Sequence, residues 1–228
     1  MRHCWTSSTA NRRCTLWGFA PTPPRIPMPT PTPETPRRRN AAATREAILL
    51  SARKAFAESG YDGAGVREIA AGAGVTAMLV NRYFGSKEQL FAEVIADTMA
   101  SPIILTEHNL ASENLGRTLA SALVSITESG STPLEGFLIM LHSASSKRAA
   151  VIGREQVEKG HQATMAAALK GQHHEERAAL VMALVSGFQV MRQMLGLSAL
   201  AKADPEVLIN LLTPLFQQLV DGEPGEQA

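Results

Sequence analysis

Hydrophobic residues recur at helical spacing from about position 40 onward. Ile48, Ala52, Ala55 and Phe56 stand at i, i+4, i+7 and i+8, a stripe typical of a helix with one buried face. Gly60 follows as the expected C-cap of this first helix, because glycine tolerates the left-handed conformation that helix ends require.

Three shorter helices are predicted to follow. Val66–Ala73 carries its apolar residues on one face, and Gly74-Val75 then makes a tight turn. Thr76 is a hydroxyl N-cap for a third helix that ends near Phe84. Ser86-Lys87-Glu88-Gln89 is typical of a capping box and opens the fourth helix.

The rest of the chain keeps a helical pattern and shows no alternation typical of strands. Helices are predicted near residues 115–128, 133–146, 149–169, 174–196 and 205–220. The predicted fold class is therefore all-α. We expect a disordered tail over 1–39, a helix-turn-helix domain over 40–95, a helical domain over 96–221 and a short tail over 222–228.

The expected N-terminal tail is rich in proline and arginine. Eight of the thirteen prolines fall between Pro21 and Pro36, and closely spaced prolines block a helix. Residues 1–40 hold seven Arg and one Glu. Arg37-Arg38-Arg39 can reach a DNA groove or phosphates, or can remain a solvated basic run. Met28 is an alternative start of the chain.

Composition narrows the class of protein. Of the 228 residues, 45% are hydrophobic and only 5% aromatic, and the net charge is +1. That balance permits a packed core and favours helices. The longest apolar run, Ala178–Val185, is too short to span a bilayer. Two cysteines allow neither a disulfide framework nor a four-cysteine zinc site. We expect a cytoplasmic protein without a membrane partner.

The third helix has two different faces. Setting Val80 inward at about 100° per residue brings Thr76 and Phe84 to the same side. The opposite arc carries Met78, Asn81 and Arg82, flanked by Ala77 and Leu79. An exposed arc on so short a helix is explained if the helix enters the major groove of DNA. The alternative is a small helical bundle with solvated cations.

Groove insertion gives each exposed side chain a partner. Arg82 can pair with guanine or phosphate and Asn81 with adenine, while apolar neighbours can touch thymine methyls. Tyr83 and Lys87 can hold phosphate oxygens, and Thr76 adds a hydroxyl beside free N–H groups of the helix start.

These elements together resemble the DNA-binding domain of the TetR (tetracycline-repressor-like) family of bacterial regulators. The matching segments are Thr44–Leu49, Phe56–Tyr61, Val66–Ala70, Ala73–Thr76 and Arg82–Phe91. The resemblance implies that Ala77, Met78, Leu79 and Asn81 read bases, while Arg82, Tyr83 and Lys87 hold the DNA backbone, which Thr44 and Arg45 also approach. It further implies a homodimer and a C-terminal ligand-binding core that controls DNA affinity.

The C-terminal helices are the candidate subunit interface. Residues 178–195 are apolar nearly all round, and 207–220 add further leucines. These two helices carry more apolar residues than the core of one protomer needs. We therefore predict a dimer contact through Val181, Val185, Phe188, Leu208, Leu212 and Leu215. The alternative is a purely internal helical hairpin.

An effector pocket is expected among the later helices. The candidates, which share apolar or adaptable side chains, are Phe137, Met140, Leu141, His142, Met165, Met182 and Gln189. The alternative is that they fill the core.

Catalytic residues, metal ligands and cofactor motifs are not predicted. The chain has no phosphate-binding loop, nucleophile-elbow motif or dinucleotide glycine fingerprint. His173 and Glu176 can share a helix face, but two ligands do not complete a metal site.

The predicted function is a transcriptional repressor that is not an enzyme. It binds an inverted-repeat operator in double-stranded DNA as a homodimer and is released by a small apolar effector. The alternative is a DNA-binding adaptor whose C-terminal domain serves protein partners.

Overall fold

The computed structural model describes residues 36–131 and 134–222. In chain order the helices are α1 (Pro36–Gly63), α2 (Val66–Gly72), α3 (Ala77–Phe84), α4 (Lys87–Met99), α5 (Glu107–Leu110), α6 (Leu115–Ile126), α7 (Glu135–Ser143), α8 (Lys147–Val157), α9 (Ala163–Ala168), α10 (His174–Gln189), α11 (Ser198–Ala201) and α12 (Pro205–Asp221). Two π-helical segments, Glu158–Gln162 and Val190–Met194, continue α8 and α10. No strand occurs in these ranges, and the all-α prediction is confirmed.

The first four helices pack around an aromatic cluster. Phe56 of α1 and Phe91 of α4 meet edge to face, with ring centroids 5.1 Å apart, and Tyr61 lies 5.0 Å from Phe91. The predicted stripe of α1 is buried here, together with the apolar faces of α2 and α3. Ile139 of α7 and Ala149 of α8 belong to the same core. The N-terminal helices therefore share their hydrophobic core with the region that comes after them.

The bounds of α1 differ from the prediction. The helix begins at Pro36, so residues 36–39, which we assigned to the tail, are helical, while residues 1–35 lie outside the described ranges. Proline suits a first helical position because its φ is already helical and its missing N–H has no partner there. Gly60 leaves the helical conformation, with φ 66°, and hydrogen bonding resumes from Ala64 N–H to the Gly60 carbonyl at 3.2 Å.

A second core joins α6, α9, α10 and α12. Phe216, Leu119 and Met165 are fully buried in it. Buried arginines close the helix ends. Arg192 donates to the Val124 carbonyl in the last turn of α6 at 2.7 Å and to the hydroxyl of Thr127, the C-cap, at 2.9 Å. The C-terminal helices are thus tied together by side chains from distant parts of the chain.

The predicted helices of this region are broken more often than their apolar pattern indicated. The helix predicted over 133–146 ends at Ser143, and Ser146 caps α8 by accepting from Ala149 N–H at 3.5 Å. The predicted 149–169 and 174–196 helices each contain a π-helical turn. Such a turn inserts a residue and rotates the side chains beyond it, so a 3.6-residue period does not reveal it. The short helices α5 and α11 were not predicted.

Four of the six residues predicted at the dimer contact are buried within the protomer. Val181, Phe188, Leu208 and Leu212 are buried in the second core of the protomer, since α10 and α12 pack their apolar faces on α6 and α9 and on each other. The alternative of an internal contact holds for them. Two candidates remain accessible, Val185 as a half-buried side chain and Leu215 as an exposed one. Among the described residues, no helix is long and apolar enough to cross a membrane.

Candidate nucleic-acid interface and ligand cavity

The third helix is anchored by one face and open on the other. Val80 and Phe84 are 2% and 4% exposed, whereas Met78 is 81% exposed. Asn81 and Arg82 are exposed beside it. The helix therefore packs on the protein through one face, and its opposite face presents an apolar, an amide and a cationic side chain to solvent.

Local hydrogen bonds hold α3 at its angle to α2. The Thr76 hydroxyl accepts from Leu79 N–H at 3.3 Å, as expected of an N-cap. In the turn between the helices, Val75 N–H donates to the Ala70 carbonyl at 2.9 Å. Gly74 has φ 68°, a conformation in which a side chain is strained. The sequence from α2 to α3 thus specifies two helices joined by a short hydrogen-bonded turn.

Three predicted phosphate ligands surround this unit, and all three already have partners within the protein. Arg45 of α1 forms an ion pair with Glu93, and its guanidinium lies 5.0 Å from the centre of the Phe84 ring. Lys87 Nζ lies 4.6 Å from the centre of the Tyr61 ring. Thr44 donates its hydroxyl hydrogen to the Asn40 carbonyl at 2.6 Å.

The remaining predicted DNA contacts lie at the edges of the exposed arc. Ala77, Leu79 and Tyr83 are half-buried, and Thr76 is exposed. Arg82 forms no ion pair within the described part of the chain. The ten predicted residues thus lie on α3, its N-cap, α1 and the start of α4, and the contact of Arg45 with Phe84 joins α1 to α3.

A cavity of about 680 Å³ lies beyond the other end of α4. Its wall is formed by the end of α4, the segment 100–105, the start of α7, the end of α8 and the second half of α10, with single residues from α1, α6 and the first π-helical segment. Five of the seven predicted pocket residues line it, namely Phe137, Met140, Leu141, Met182 and Gln189. The size and mostly apolar wall are those of a small-molecule site.

The other two predicted pocket residues lie elsewhere. Met165 is fully buried in the second core, where α9 packs on α10. His142 turns toward α1, and its Nδ1–H donates to the Ala57 carbonyl at 2.6 Å. Both positions follow from the packing partners of their helices, which the sequence pattern does not name.

Two polar residues of the cavity wall have nitrogen atoms without partners. His161 Nε2 and Gln189 Nε2 are buried and make no hydrogen bond within the described residues. Burial lowers the pKa of His161, and a hydrogen bond with the Met99 backbone opposes this shift only in part. The imidazole is therefore neutral at pH 7. Unpaired buried polar atoms are costly, about 1–3 kcal/mol each.

The rim of the cavity carries charges that pair with one another. Arg53 of α1 bonds to Asp97 of α4, and its Nε lies 3.8 Å from a Glu135 carboxylate oxygen of α7. All three residues line the opening. The rim thus joins α1 and α4 to α7, which forms part of the cavity wall.

Two family models match the chain. Residues 48–94 match the model described as bacterial regulatory proteins, tetR family, and residues 113–220 match the tetracyclin repressor-like C-terminal domain. The first match covers the helix-turn-helix, and the second covers most of the cavity-bearing region. The chain belongs to the TetR family. As a TetR-family protein it is a DNA-binding transcriptional regulator with a helix-turn-helix.

Solved structures of TetR-family proteins share the fold. A TetR-family regulator from Streptomyces coelicolor A3 is 25% identical, with a TM-score of 0.53 over 82% of this chain and 99% of that one. NalD, the secondary repressor of the MexAB-OprM multidrug efflux pump in Pseudomonas aeruginosa, is 20% identical, with a TM-score of 0.54 over 82% and 100%. The fatty acid degradation regulator FadR from Bacillus halodurans is 17% identical, with a TM-score of 0.56 over 78% and 98%. No curated protein matched the chain.

Part of the cavity of this TetR-family chain was not predicted from the sequence. His161 lies in the π-helical segment, and its orientation depends on the inserted residue. Arg53 comes from α1, within the DNA-binding domain. The segment 100–105 contributes Ile103, Ile104 and Leu105. Of the wall residues that were not predicted, only these three form an apolar run that is visible in the sequence.

Proposed function

We propose that this TetR-family chain is a repressor that binds an inverted-repeat operator as a homodimer and leaves it when a small, largely apolar effector occupies the cavity. The observation that carries the proposal is the two-faced α3, with Val80 and Phe84 buried and Met78, Asn81 and Arg82 exposed. A helix seated in this way can place its N-terminal half against base edges.

The roles proposed at the DNA follow the position of each side chain. Ala77, Met78, Leu79 and Asn81 face base edges, and Arg82, Tyr83, Lys87, Thr76, Thr44 and Arg45 hold the phosphate backbone. Arg45 pairs with Glu93 in the free protein, so a phosphate oxygen would have to replace that carboxylate. This exchange suits a contact that forms only on DNA.

The proposed dimer uses the outer face of the last long helices. Leu180 and Met191 are 55% and 41% exposed on α10 and its π-helical extension, and Leu211 and Leu215 are 65% and 50% exposed on α12. A Cβ at Gly187 would meet nothing within 4 Å, so a second helix can approach closely there. A two-fold axis through this face would set two recognition helices about 34 Å apart.

A pair of matched substitutions tests the dimer face. Gly187→Arg places a charge on the proposed contact in a position that is open within the protomer. We expect the variant to remain folded but to sediment as a monomer. Val151→Arg, at an exposed apolar position of α8, is the matched control and should stay dimeric. A dimeric Gly187→Arg variant would contradict this interface.

The release mechanism rests on α7, which touches both regions. Phe137, Met140 and Leu141 line the cavity, while Ser143 at the end of α7 accepts from the Tyr61 N–H of α1 at 2.9 Å. A ligand that favours another position of α7 therefore also favours another position of α1. The differential affinity of the ligand for the two arrangements sets the upper limit of the resulting loss of operator affinity.

Selection of bound fragments from a genomic DNA pool tests the proposed function. We expect the selected sequences to share an inverted repeat, and a reporter placed behind it to be expressed more strongly when the protein is absent. NalD is a repressor by its description, which supports this direction. Selected fragments without two-fold symmetry would contradict the dimer on DNA, and weaker reporter expression without the protein would contradict repression.

A further inference from the structure

One ring of the aromatic cluster in the first core carries a cation on its face. Lys87 Nζ lies 4.6 Å from the centre of the Tyr61 ring. Lys87 is the half-buried first residue of α4, and Tyr61 is only 5% exposed. A cation over the face of a tyrosine is attracted by the negative charge of the π-system. The ring therefore gives the ammonium a preferred position before any DNA is bound.

The Tyr61 ring is itself held firmly in place. It meets the Phe91 ring edge to face at 5.0 Å and stacks on the Phe56 ring with centroids 6.2 Å apart. The backbone N–H of Tyr61 donates to the Ser143 hydroxyl of α7 at 2.9 Å, in a buried hydrogen bond. Because the ring and the backbone are both fixed, the surface that Tyr61 offers to the ammonium is fixed as well.

Lys87 has no carboxylate to give up when it meets a phosphate. It forms no ion pair within the described part of the chain. The neighbouring Glu88 bonds instead to Arg148 of α8 at 2.8 Å. Arg45, in contrast, pairs with Glu93. An ammonium carries three N–H donors, and those that point away from the ring remain available to a phosphate oxygen.

We infer that Tyr61 is a positioning residue for DNA binding, whose ring holds the Lys87 ammonium where a phosphate oxygen of the operator meets it. A freely moving lysine loses conformational freedom when it is immobilised on DNA, and here that loss has already occurred in the free protein. The inference rests on the phosphate contact proposed for Lys87 and adds the residue that prepares it. The face of the ring makes the contact, so the Tyr61 hydroxyl is not required.

A proton NMR spectrum of the unmodified protein tests the position of the lysine without DNA. Protons over an aromatic face resonate upfield of their ordinary positions. The ε-methylene protons of Lys87, one bond from Nζ, should therefore lie upfield of those of the exposed Lys54. The Lys87→Met variant identifies the signal by its absence. Equal shifts for the two lysines would overturn the inference, and this test needs no variant of the buried ring.

A double-mutant cycle on the selected operator tests the role in binding. Tyr61→Leu removes the ring face, so we expect operator affinity to fall about fivefold when Lys87 is present. In the Lys87→Met background the same change should cost less than about 1.5-fold, because the side chain that the ring positions is gone. Tyr61→Phe keeps the ring face and should stay within about twofold of the unmodified protein. Mobility-shift assays measure the affinities under conditions in which circular dichroism shows every variant to be folded.

Phe56→Leu is the matched control. It removes a fully buried ring of the same cluster, and within the described residues no cation lies over that ring. Any change in operator affinity that it causes should be the same with Lys87 present and in the Lys87→Met background, since it acts only through packing.

The outcomes separate this inference from the proposed function. Equal losses for Tyr61→Leu in the two backgrounds would mean that Tyr61 acts only through core packing, and would overturn the inference. If Lys87→Met also weakens binding and lowers the salt slope by about one unit, the phosphate contact stands and only the positioning role fails. If Lys87→Met changes neither operator affinity nor salt slope, the proposed phosphate contact fails and the inference fails with it.

Discussion

The helix-turn-helix region and the cavity-bearing region differ in how far apart in sequence the residues lie that hydrogen-bond at their helix ends. In the first, Thr76 and Ser86 each accept a hydrogen bond from the amide three residues further on, at 3.3 and 3.2 Å. The second has a similar local cap at Ser146, but there Arg192 also reaches the carbonyl of Val124, 68 positions away. Local caps thus fix the starts of α3 and α4, whereas the end of α6 is held by a segment that is distant in sequence.

The same contrast separates the two sites. The proposed DNA face consists of consecutive residues of α3 whose exposure follows from one helical period. The cavity collects its wall from α1, α4, α6, α7, α8 and α10. A surface built from one short helix keeps its shape when distant parts move, whereas a cavity between six helices changes with their arrangement. This difference suits a fixed DNA-reading surface and an adjustable ligand site.

The largest expected effect concerns whether the two regions unfold together. Phe91 in the first core and Phe216 in the second are both fully buried, so Phe91→Ala and Phe216→Ala should each lower the free energy of unfolding by about 3–5 kcal/mol. Because Ile139 and Ala149 bring α7 and α8 into the first core, we expect a single urea transition for both variants at equal protein concentration.

Leu50→Ala is the control for these core substitutions. Leu50 is 64% exposed on α1, and the change should alter the free energy of unfolding by no more than about 0.5 kcal/mol. Two separate transitions, of which Phe91→Ala shifts only the first, would show that the shared core does not couple the regions.

The next effect concerns the contact between the regions. Gly60 has a positive φ, and a Cβ there would collide with the His142 backbone carbonyl of α7. Gly60→Ala should cost about 2–4 kcal/mol, the sum of backbone strain and steric overlap. Gly130→Ala has positive φ but no neighbour within 4 Å and should cost about 1–2 kcal/mol. If urea denaturation gave equal losses of unfolding free energy for the two variants, the close approach of α7 to Gly60 would contribute nothing to the cost.

The first region could be predicted closely from the sequence because its signals are local. Thr76 caps α3 and Val80 lies buried on it, as the helical period indicated. The second region could not, because π-helical turns shift the faces of α8 and α10. Leu208 illustrates the limit: its apolar character predicted burial, but the choice between an internal core and a subunit interface depends on which helix reaches it.

A smaller effect tests the proposed DNA face. Arg82 is exposed and forms no ion pair within the described ranges, so Arg82→Ala should weaken binding to the selected operator about tenfold and reduce the salt slope by about one unit if it holds a phosphate. Arg154→Ala, an exposed arginine of α8, should leave both unchanged. A series of mobility-shift assays at different salt concentrations measures the operator affinity and its salt slope. An unchanged slope would contradict the phosphate contact, and a loss confined to operators with one particular base pair would assign Arg82 to guanine instead.

The smallest effect tests the adjustable site through pH. Burial lowers the pKa of His161 below its ordinary value of 6.5, so the unfolded chain binds a proton more readily than the folded one. The stabilisation is complete above pH 6.5 and is lost as pH falls toward the lowered pKa of the folded state. His161→Phe should therefore reduce the decline in the free energy of unfolding on acidification, and His108→Phe, at an exposed position of α5, should not. Parallel stability curves for His161→Phe and the unmodified protein between neutral and mildly acidic pH would mean that burial does not hold the ring neutral in the folded protein.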